Sequence, residues 1–422
     1  MSSHPRLARR LTTFDAVSIG LGSMIGAGVF SAFTPAAQAA GSGLLIGLLL
    51  AAAVAFCNAT ASAQLAAEYP TSGGTYVYGR ERLGPWPGFL AGWGFVIGKT
   101  ASSAAMALTF AAYAAPAGWE RPVAIAAVVL LAAVNYRGVT RTAGMTRIIV
   151  TAVLMVLAIV VAACWGPYGA AHAGMFDGGG ALAHGWYGIL QSAGLLFFAF
   201  AGYARIATMG EEVLNPRTAI PRAIVTALGI VVGVYAAIAV SILAVLGPDG
   251  IASTPTPLAA AVAAGSWDWA LPVVGLGAAL AALGALLALI AGLGRTSLAM
   301  AREADLPRWL AAVHPQFKVP HRAEVVLAVV ICLIISVADL RGAIGFSSFG
   351  VLIYYFVANI AAYTQSRDNR RYPKALQLAG ALACAVLVAT LPGESVIAGL
   401  LMFAAGAAYR LLRLRLGGAR KR

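Results

Sequence analysis

The chain has little charge. Only 10% of its 422 residues are Asp, Glu, Lys or Arg, whereas 60% are hydrophobic. A soluble domain carries roughly 25% charged residues, so an ordinary water-facing surface is excluded at this length. Acidic residues are the scarcer sign, 15 against 29 basic ones, and only five histidines occur. All five, His4, His172, His184, His314 and His321, lie in or beside connections between apolar stretches. No converging set of His, Asp, Glu or Cys at membrane depth therefore supports an integral-membrane enzyme or a metal centre. The four cysteines, Cys57, Cys164, Cys332 and Cys384, stand singly within or at the ends of apolar stretches. Their spacing is neither a disulfide framework nor a zinc pattern, and packing as small apolar residues is their expected role. No cofactor motif is present, and no stretch has the composition of a soluble domain, so residues 1–422 are expected to form one membrane-embedded domain.

What the chain has is length of apolar run. Stretches of about 18 or more apolar residues, enough to cross a hydrocarbon core of ~30 Å, recur throughout. Twelve spans are predicted, at 14–38, 43–66, 86–113, 119–136, 144–166, 185–208, 219–246, 268–300, 321–339, 341–363, 374–391 and 394–412. Both termini and the even-numbered connections then share one side, which holds 25 of the 29 Lys and Arg residues. Positive-inside bias makes that side cytoplasmic and predicts a multi-pass protein of the cytoplasmic (inner or plasma) membrane. The net charge of +14 is thus a topology signal rather than a nucleic-acid footprint. Arg6, Arg9 and Arg10 before an apolar run, with Ala37-Gln38-Ala39 after it, imitate a signal peptide. With eleven further spans, targeting by an uncleaved first helix is expected. The longest outer connection, 167–184, is Gly-rich and holds His172, Asp177 and His184; a solvated loop is its expected state.

Two spans share an anomaly. Span 1 reads Gly20-Leu21-Gly22-Ser23-Met24-Ile25-Gly26-Ala27-Gly28-Val29-Phe30, and span 6 reads Phe197-Phe198-Ala199-Phe200-Ala201-Gly202-Tyr203. Each carries glycine near its middle, where helix propensity is weakest. They stand five spans apart, which is the pattern of a five-plus-five inverted repeat: 14–166, then 185–363, with 374–412 as two peripheral helices. Unwinding inside a bilayer exposes N–H and C=O groups that are tolerated only where they face a cavity and a ligand. Free N–H groups suit a carboxylate, and free carbonyls suit an ammonium. A zwitterionic amino acid presents both, one carbon apart. Two other uses of the glycines stand beside this one. Gly20-x-Gly22-x-x-x-Gly26 misses the dinucleotide spacing by one residue and follows no strand. Gly22-x-x-x-Gly26 fits a close helix-packing motif, which is compatible with a break.

Four stretches in order resemble the amino acid–polyamine–organocation (APC) superfamily of permeases over essentially the whole chain. They are Gly22 through Gly26, Ala27 and Gly28 to Phe30; Pro70-Thr71-Ser72-Gly73-Gly74-Thr75-Tyr76-Val77-Tyr78; Phe198 through Gly202 to Glu211-Glu212-Val213-Leu214-Asn215-Pro216 and Ile220-Pro221; and Arg295 through Ala299-Met300-Ala301-Arg302-Glu303 to Leu306-Pro307 and His314-Pro315-Gln316-Phe317. The resemblance implies an all-α membrane protein of twelve transmembrane helices in the APC, leucine-transporter-like fold, with helices 1 and 6 broken. It implies a carrier of amino acids that makes and breaks no bond. Carried over by position, the N–H groups of Ala27 and Gly28 would hold the substrate carboxylate. The carbonyls of Met24, Phe198 and Ala201 would take the ammonium. Ile25, Gly26, Ala199 and Gly202 would complete the unwound segments, Phe198 and Phe200 would line or gate the pocket, and Tyr203 would stand just beyond the break.

Coupling departs from the pattern. Where proton-coupled relatives place a lysine in span 5, this chain has Val153, and Leu286 to Gly294 in span 8 lacks the hydroxyls of sodium-coupled relatives. Two other ionisable groups lie at membrane depth, Lys99 in span 3 and Arg205 after the span 6 break, and such groups face an interior or water and are functional candidates. Lysine can carry a proton and arginine essentially cannot. Lys99 is thus a coupling candidate, with a purely structural bond to backbone as the alternative. Arg205 is a gate or anion partner, with an ion pair to Glu211 or Glu212 as the alternative. Relatives often carry an acid where Ala204 stands here. The pocket side of span 3, Ala104 to Ala107, is small and apolar, and Ser347 and Ser348 face it from span 10. The substrate expected is a neutral, apolar amino acid; an amine or polyamine carrier, or an exporter or exchanger, is the nearest alternative. A proton or a counter-substrate is the expected coupling partner, and no span carries a strong dimerisation signal.

Overall fold

The computed structural model describes residues 11–70, 73–138, 143–166, 180–210 and 212–419. These form helices and no strand; one isolated parallel bridge joins Leu11 to Val213. Span 1 is divided into α1 (Thr13–Met24), α2 (Ala27–Ser31) and α3 (Phe33–Ala40), and α4 (Leu44–Glu68) is span 2. A short α5 (Gly74–Leu83) precedes α6 (Pro85–Ala114), α7 (Glu120–Tyr136) and α8 (Ala143–Cys164). Span 6 is α9 (Gly185–Phe200), a 3-10 turn at Ala201–Tyr203, and α10 (Ala204–Ala207). There follow α11 (Pro216–Ser253), α12 (Pro257–Ala264), α13 (Leu271–Arg302), α14 (His321–Val337), α15 (Leu340–Tyr363), α16 (Lys374–Thr390) and α17 (Gly393–Ala419).

Nine stretches among the described residues are long and apolar enough to cross a membrane. The remaining span-like helices, α7, α14 and α16, are each 17 residues long, about 26 Å at ~1.5 Å per residue. Further elements lie between the predicted spans. The connection after span 2 contains α5, whose Gly74 has a φ of +55°, a value open to glycine; Ser72 lies outside the described residues. Within α11 the helix of span 7 is interrupted at Gly247, whose φ of 64° and ψ of 174° are not helical, and a second short helical segment runs from there to Ser253. This agrees with the predicted end of the span at 246, and Pro248 has no N–H to continue the helix. His172 and Asp177 lie outside the described residues.

The helices pack closely because small residues let them. On α6, a Cβ added to Gly94 would lie 2.7 Å from the Gly350 carbonyl oxygen of α15, and one on Gly98 would lie 2.9 Å from that of Ser347. Backbones that approach this far gain contact that lipid-facing helices do not otherwise have. Some polar groups inside the bundle pair across helices: Asn359 of α15 donates to the Asn58 side-chain oxygen of α4 at 2.6 Å. The chain start is anchored by a reciprocal cap, in which Thr12 and Asp15 exchange side-chain and backbone hydrogen bonds at 2.9 and 3.2 Å. Arg147 of α8 pairs with Asp15.

A second polar node ties three distant elements at the end of α13. The buried Asp305 accepts from the Tyr76 hydroxyl at 2.8 Å and from Arg80 at 2.7 Å, both on α5. It also pairs with the buried Arg410 of α17, whose guanidinium lies 5.0 and 4.7 Å from the rings of Trp86 and Phe89. Burial and the Asp305 carboxylate raise the Tyr76 phenol above its usual range, so it stays a donor. Removing the acid strands Arg410 without a counter-charge, a change that costs about 3–5 kcal/mol when the pair is buried. Asp305→Ala is therefore expected to lower the thermal unfolding midpoint of detergent-purified protein clearly, and Arg80→Ala less, because Arg80 is partly exposed. Equal midpoints for wild type and both variants would show that the node holds nothing together.

Candidate functional site

The two breaks meet. α1 ends at Met24, Ile25 leaves the helix at ψ 61°, and Gly26 adopts φ −105° and ψ −142° before α2 begins without a side-chain cap. In the other break the chain tightens from α9 into the 3-10 turn at Ala201. A Cβ on Gly202 would stand 2.2 Å from the Ser23 carbonyl oxygen, and one on Gly28 would stand 2.6 Å from the Ala199 Cα. Glycine at these two positions is what lets one broken helix lie against the other. The carbonyls released there are taken up by side chains from other helices. The Tyr235 hydroxyl of α11 donates to the Met24 carbonyl at 2.6 Å and reaches that of Ala199 at 3.1 Å. The Ala201 carbonyl accepts from Lys99 Nζ at 3.2 Å and from the Tyr355 hydroxyl of α15 at 3.4 Å.

A cavity of about 710 Å³ runs from this junction to the exposed Arg295 and Arg302 of α13. At its inner end lie Ser23, Lys99, Met106, Phe198, Ala201 and Gly202, with Ser102 held by Ser347 at 2.6 Å. Arg205 and Glu212 line it farther out. Lys99, Arg205, Arg295 and Arg302 thus face one cavity, and Glu212 is the acid lining it among the described residues. No ion pair joins these cations to a described carboxylate. The alternative pairing of Arg205 with Glu212 is absent, because both side chains border the open cavity; Glu211 lies outside the described residues.

The sequence-predicted residues divide into three sets. Phe198, Ala201, Gly202, Lys99 and Arg205 line the cavity. Met24, Ile25, Gly26, Ala27 and Gly28 are buried just behind its inner end and do not line it, with Ala199 packed under Gly28. Phe200 and Tyr203 are turned into the core: Phe200 meets Tyr235 edge-on at 5.1 Å, and Tyr203 lies tilted against Tyr355 at 5.0 Å. Two participants were missed from sequence, Tyr235 and Tyr355. The available signal was an isolated polar hydroxyl inside an apolar span, but nothing in the pattern names its partner across the bundle. Glu324, which the sequence reading does not single out, is buried against Gly294 with its Oε2 lacking a partner among the described residues. No group of three or more His, Cys, Asp or Glu is placed to hold a metal ion among the described residues.

What this arrangement offers is a cluster of backbone carbonyls at one end of the cavity, one of them held by the ammonium of Lys99. Its integrity rests on the hydroxyl and glycine contacts. Tyr235→Phe removes the buried hydroxyl that the Met24 and Ala199 carbonyls share, a loss of about 0.5–1.5 kcal/mol, and Gly202→Ala forces the two breaks apart. Both are expected to lower the thermal unfolding midpoint, whereas Gly229→Ala in α11, which has open space for a Cβ, is expected to be neutral. Equal behaviour of Gly202→Ala and Gly229→Ala would mean that the breaks do not bear on each other.

Comparison with known proteins agrees with this architecture. A family model described as amino acid permease matches residues 11–407. An uncharacterized transporter of Mycobacterium tuberculosis (strain ATCC 25618 / H37Rv) is 58% identical over 409 residues, covering 97% of this chain and 92% of that protein. The chloroplastic cationic amino acid transporter 6 of Arabidopsis thaliana is 29% identical, covering 85% of this chain and 66% of that protein. The branched-chain amino acid permease BcaP of Bacillus subtilis (strain 168) is 23% identical, covering 94% and 88%. Family and relatives are transporters rather than enzymes. This chain is a multi-pass membrane protein that belongs to the amino acid permease family.

Proposed function

We propose that the protein is a secondary active transporter that carries neutral, apolar amino acids across the cytoplasmic membrane by alternating access. The observation that carries the proposal is the contact of two helix breaks at the inner end of one cavity. Backbone groups released at membrane depth are the expected partners of a zwitterion. In this assignment the Ala27 and Gly28 N–H groups take the substrate carboxylate, and the carbonyls of Met24, Phe198 and Ala201 take its ammonium, which requires the buried segment from Met24 to Gly28 to open to the cavity during the cycle and the Met24 carbonyl to give up one of its two present donors. Ile25, Gly26, Ala199 and Gly202 shape the junction, while Phe198 and Met106 face the side chain.

Charge favours a neutral substrate. A cationic side chain entering from the basic end would pass Arg302, Arg295 and Arg205 and arrive beside Lys99, and like charges this close in a low-dielectric site are strongly disfavoured. That weighs against the cationic substrates in the name of the Arabidopsis relative and against an amine or polyamine. The branched-chain substrates in the name of BcaP agree with an apolar wall. The proposal extends to twelve spans, with α7, α14 and α16 crossing beside the nine longer stretches, and to the repeats 14–166 and 185–363 with 374–412 outside them. The distribution of Lys and Arg supports termini in the cytoplasm, so the cavity opens inward.

Uptake of the twenty radiolabelled standard amino acids into proteoliposomes, each with and without unlabelled amino acid inside, tests the substrate class. Saturable entry of leucine, isoleucine, valine or another apolar amino acid, with lysine and arginine excluded, is expected. Entry of lysine or arginine alone would overturn the neutral assignment. No entry of any amino acid into vesicles of folded protein would remove amino acids as the substrate.

A further inference from the structure

Lys99 occupies a place that the proposed substrate also needs. Its side chain is only 6% exposed, and its ammonium is satisfied by a carbonyl rather than by an acid, the Ala201 oxygen at 3.2 Å. That oxygen already receives the Tyr355 hydroxyl at 3.4 Å. A carbonyl oxygen has two lone pairs, so a third donor enters only if one of the two leaves. Wherever Tyr355 keeps its bond, Lys99 and a substrate ammonium are set against each other. Charge sharpens the contest. Two unit charges about 4 Å apart, at the effective dielectric typical of protein sites, repel by an amount equivalent to roughly three orders of magnitude in affinity. Because no described carboxylate is paired with Lys99, loss of its proton strands no anion.

We propose that Lys99 is the proton carrier of a proton–amino acid exchange, its ammonium and the substrate's ammonium taking turns on the Ala201 carbonyl. The proposal rests on the amino acid reading above and adds the sign and stoichiometry of coupling. With the cavity open, the Lys99 ammonium gives its proton to cavity water and becomes a neutral amine. The amino acid then binds through Ala201, the carrier turns over, and the amino acid leaves on the far side. Lys99 takes a proton there and returns charged. One proton crosses against each amino acid, so a proton gradient directed into the cell drives amino acid out.

The other ionisable groups around Lys99 do not replace it. α13 brings Arg295 and Arg302, and the segment after the break brings Arg205 and Glu212. α5 contributes Tyr76, and α15 contributes Tyr354 and Tyr355. α2 has no ionisable residue, Glu120 and Arg121 stand at the far end of α7, Glu324 of α14 packs against Gly294, and Arg410 of α17 is engaged by Asp305. Arginines and phenols keep their charge state near neutrality, which leaves Glu212 as the group to control for.

The test uses full-length protein in proteoliposomes and the twenty radiolabelled amino acids, first as counterflow without any gradient. Absence of counterflow for all twenty overturns the amino acid reading and the exchange with it. Where counterflow occurs, a vesicle interior made acidic is expected to accelerate uptake and an exterior made acidic to slow it; the opposite pair of responses is symport and overturns the proposal. Wild-type affinity is expected to weaken as pH falls, approaching tenfold per unit. Lys99→Met is expected to exchange label without response to either gradient and with affinity independent of pH, whereas Lys99→Arg, charged throughout, is expected to lose exchange. Glu212→Gln is expected to keep the wild-type pH dependence. Gradient response surviving in Lys99→Met, or vanishing in Glu212→Gln, assigns the proton elsewhere. If Lys99→Met does not elute as a folded monodisperse species, Lys99→Gln takes its place; loss of exchange in a folded neutral variant gives Lys99 a structural role and also overturns the proposal.

Discussion

Inside a bilayer a peptide group has no water to turn to, so every helix that stops must hand its free N–H and C=O groups to something else. Most of this architecture can be traced to how two such stops, after Met24 and after Phe200, are provisioned. Some of the released groups are matched locally: Ile25 N–H returns to the Leu21 carbonyl at 2.6 Å, and Gly26 N–H turns back to Met24 at 2.8 Å. Others draw on remote helices, Tyr235 from α11, Tyr355 from α15 and Lys99 from α6. The breaks thereby tie together elements that are far apart in sequence. An apolar packing argument alone gives no reason for three polar side chains to point at one spot. The need to satisfy those carbonyls does.

The same need explains which features were legible in the sequence. Span positions were, because an 18-residue apolar run is a strong signal and the helices begin and end close to it. The break positions were too: Gly26, Gly28 and Gly202 are poor helix formers in spans that otherwise propagate well, and the contacts a Cβ would make at Gly28 and Gly202 supply the reason they are there. Phe200 illustrates the limit. Its neighbour Phe198 lines the cavity, yet Phe200, two residues on and about 200° around the helix, is turned to Tyr235. With the phase of the last turn before a break unknown, sequence cannot tell which of the two aromatics faces inward. Tyr235 and Tyr355 were illegible for another reason. A tyrosine in an apolar span announces that its hydroxyl needs a partner, but not which of a dozen helices supplies it. Gly247 was legible as well: the Gly-Pro pair reads as the end of a span, and the backbone leaves the helical region there.

The charge pattern carries a further consequence. Basic residues were first assigned to topology, and that accounts for their concentration on one face. It does not account for Arg205 and Lys99, which line the cavity, or for the absence of a matching set of acids among the described residues that line it. A cavity whose lining is this unbalanced holds a positive potential. Such a potential discourages small cations and, in the proposed binding mode, favours the substrate carboxylate.

This potential bears on why a lysine, rather than a bound metal cation, sits at the Ala201 carbonyl. An inorganic ion would have to be drawn through the same positive lining that repels it, and the described site gathers too few oxygen ligands to repay its dehydration. An ammonium tethered to α6 faces no such entry problem, because folding delivers it. In the proposed exchange it would occupy the Ala201 carbonyl while no substrate is present, and as an amine it would withdraw its charge without having to leave the site. A tethered group that can lose its charge is therefore the form of cation that a cationic cavity can both accommodate and dismiss. An arginine in the same position would satisfy the carbonyl equally well, but it would hold its charge against any substrate that came for the same oxygen.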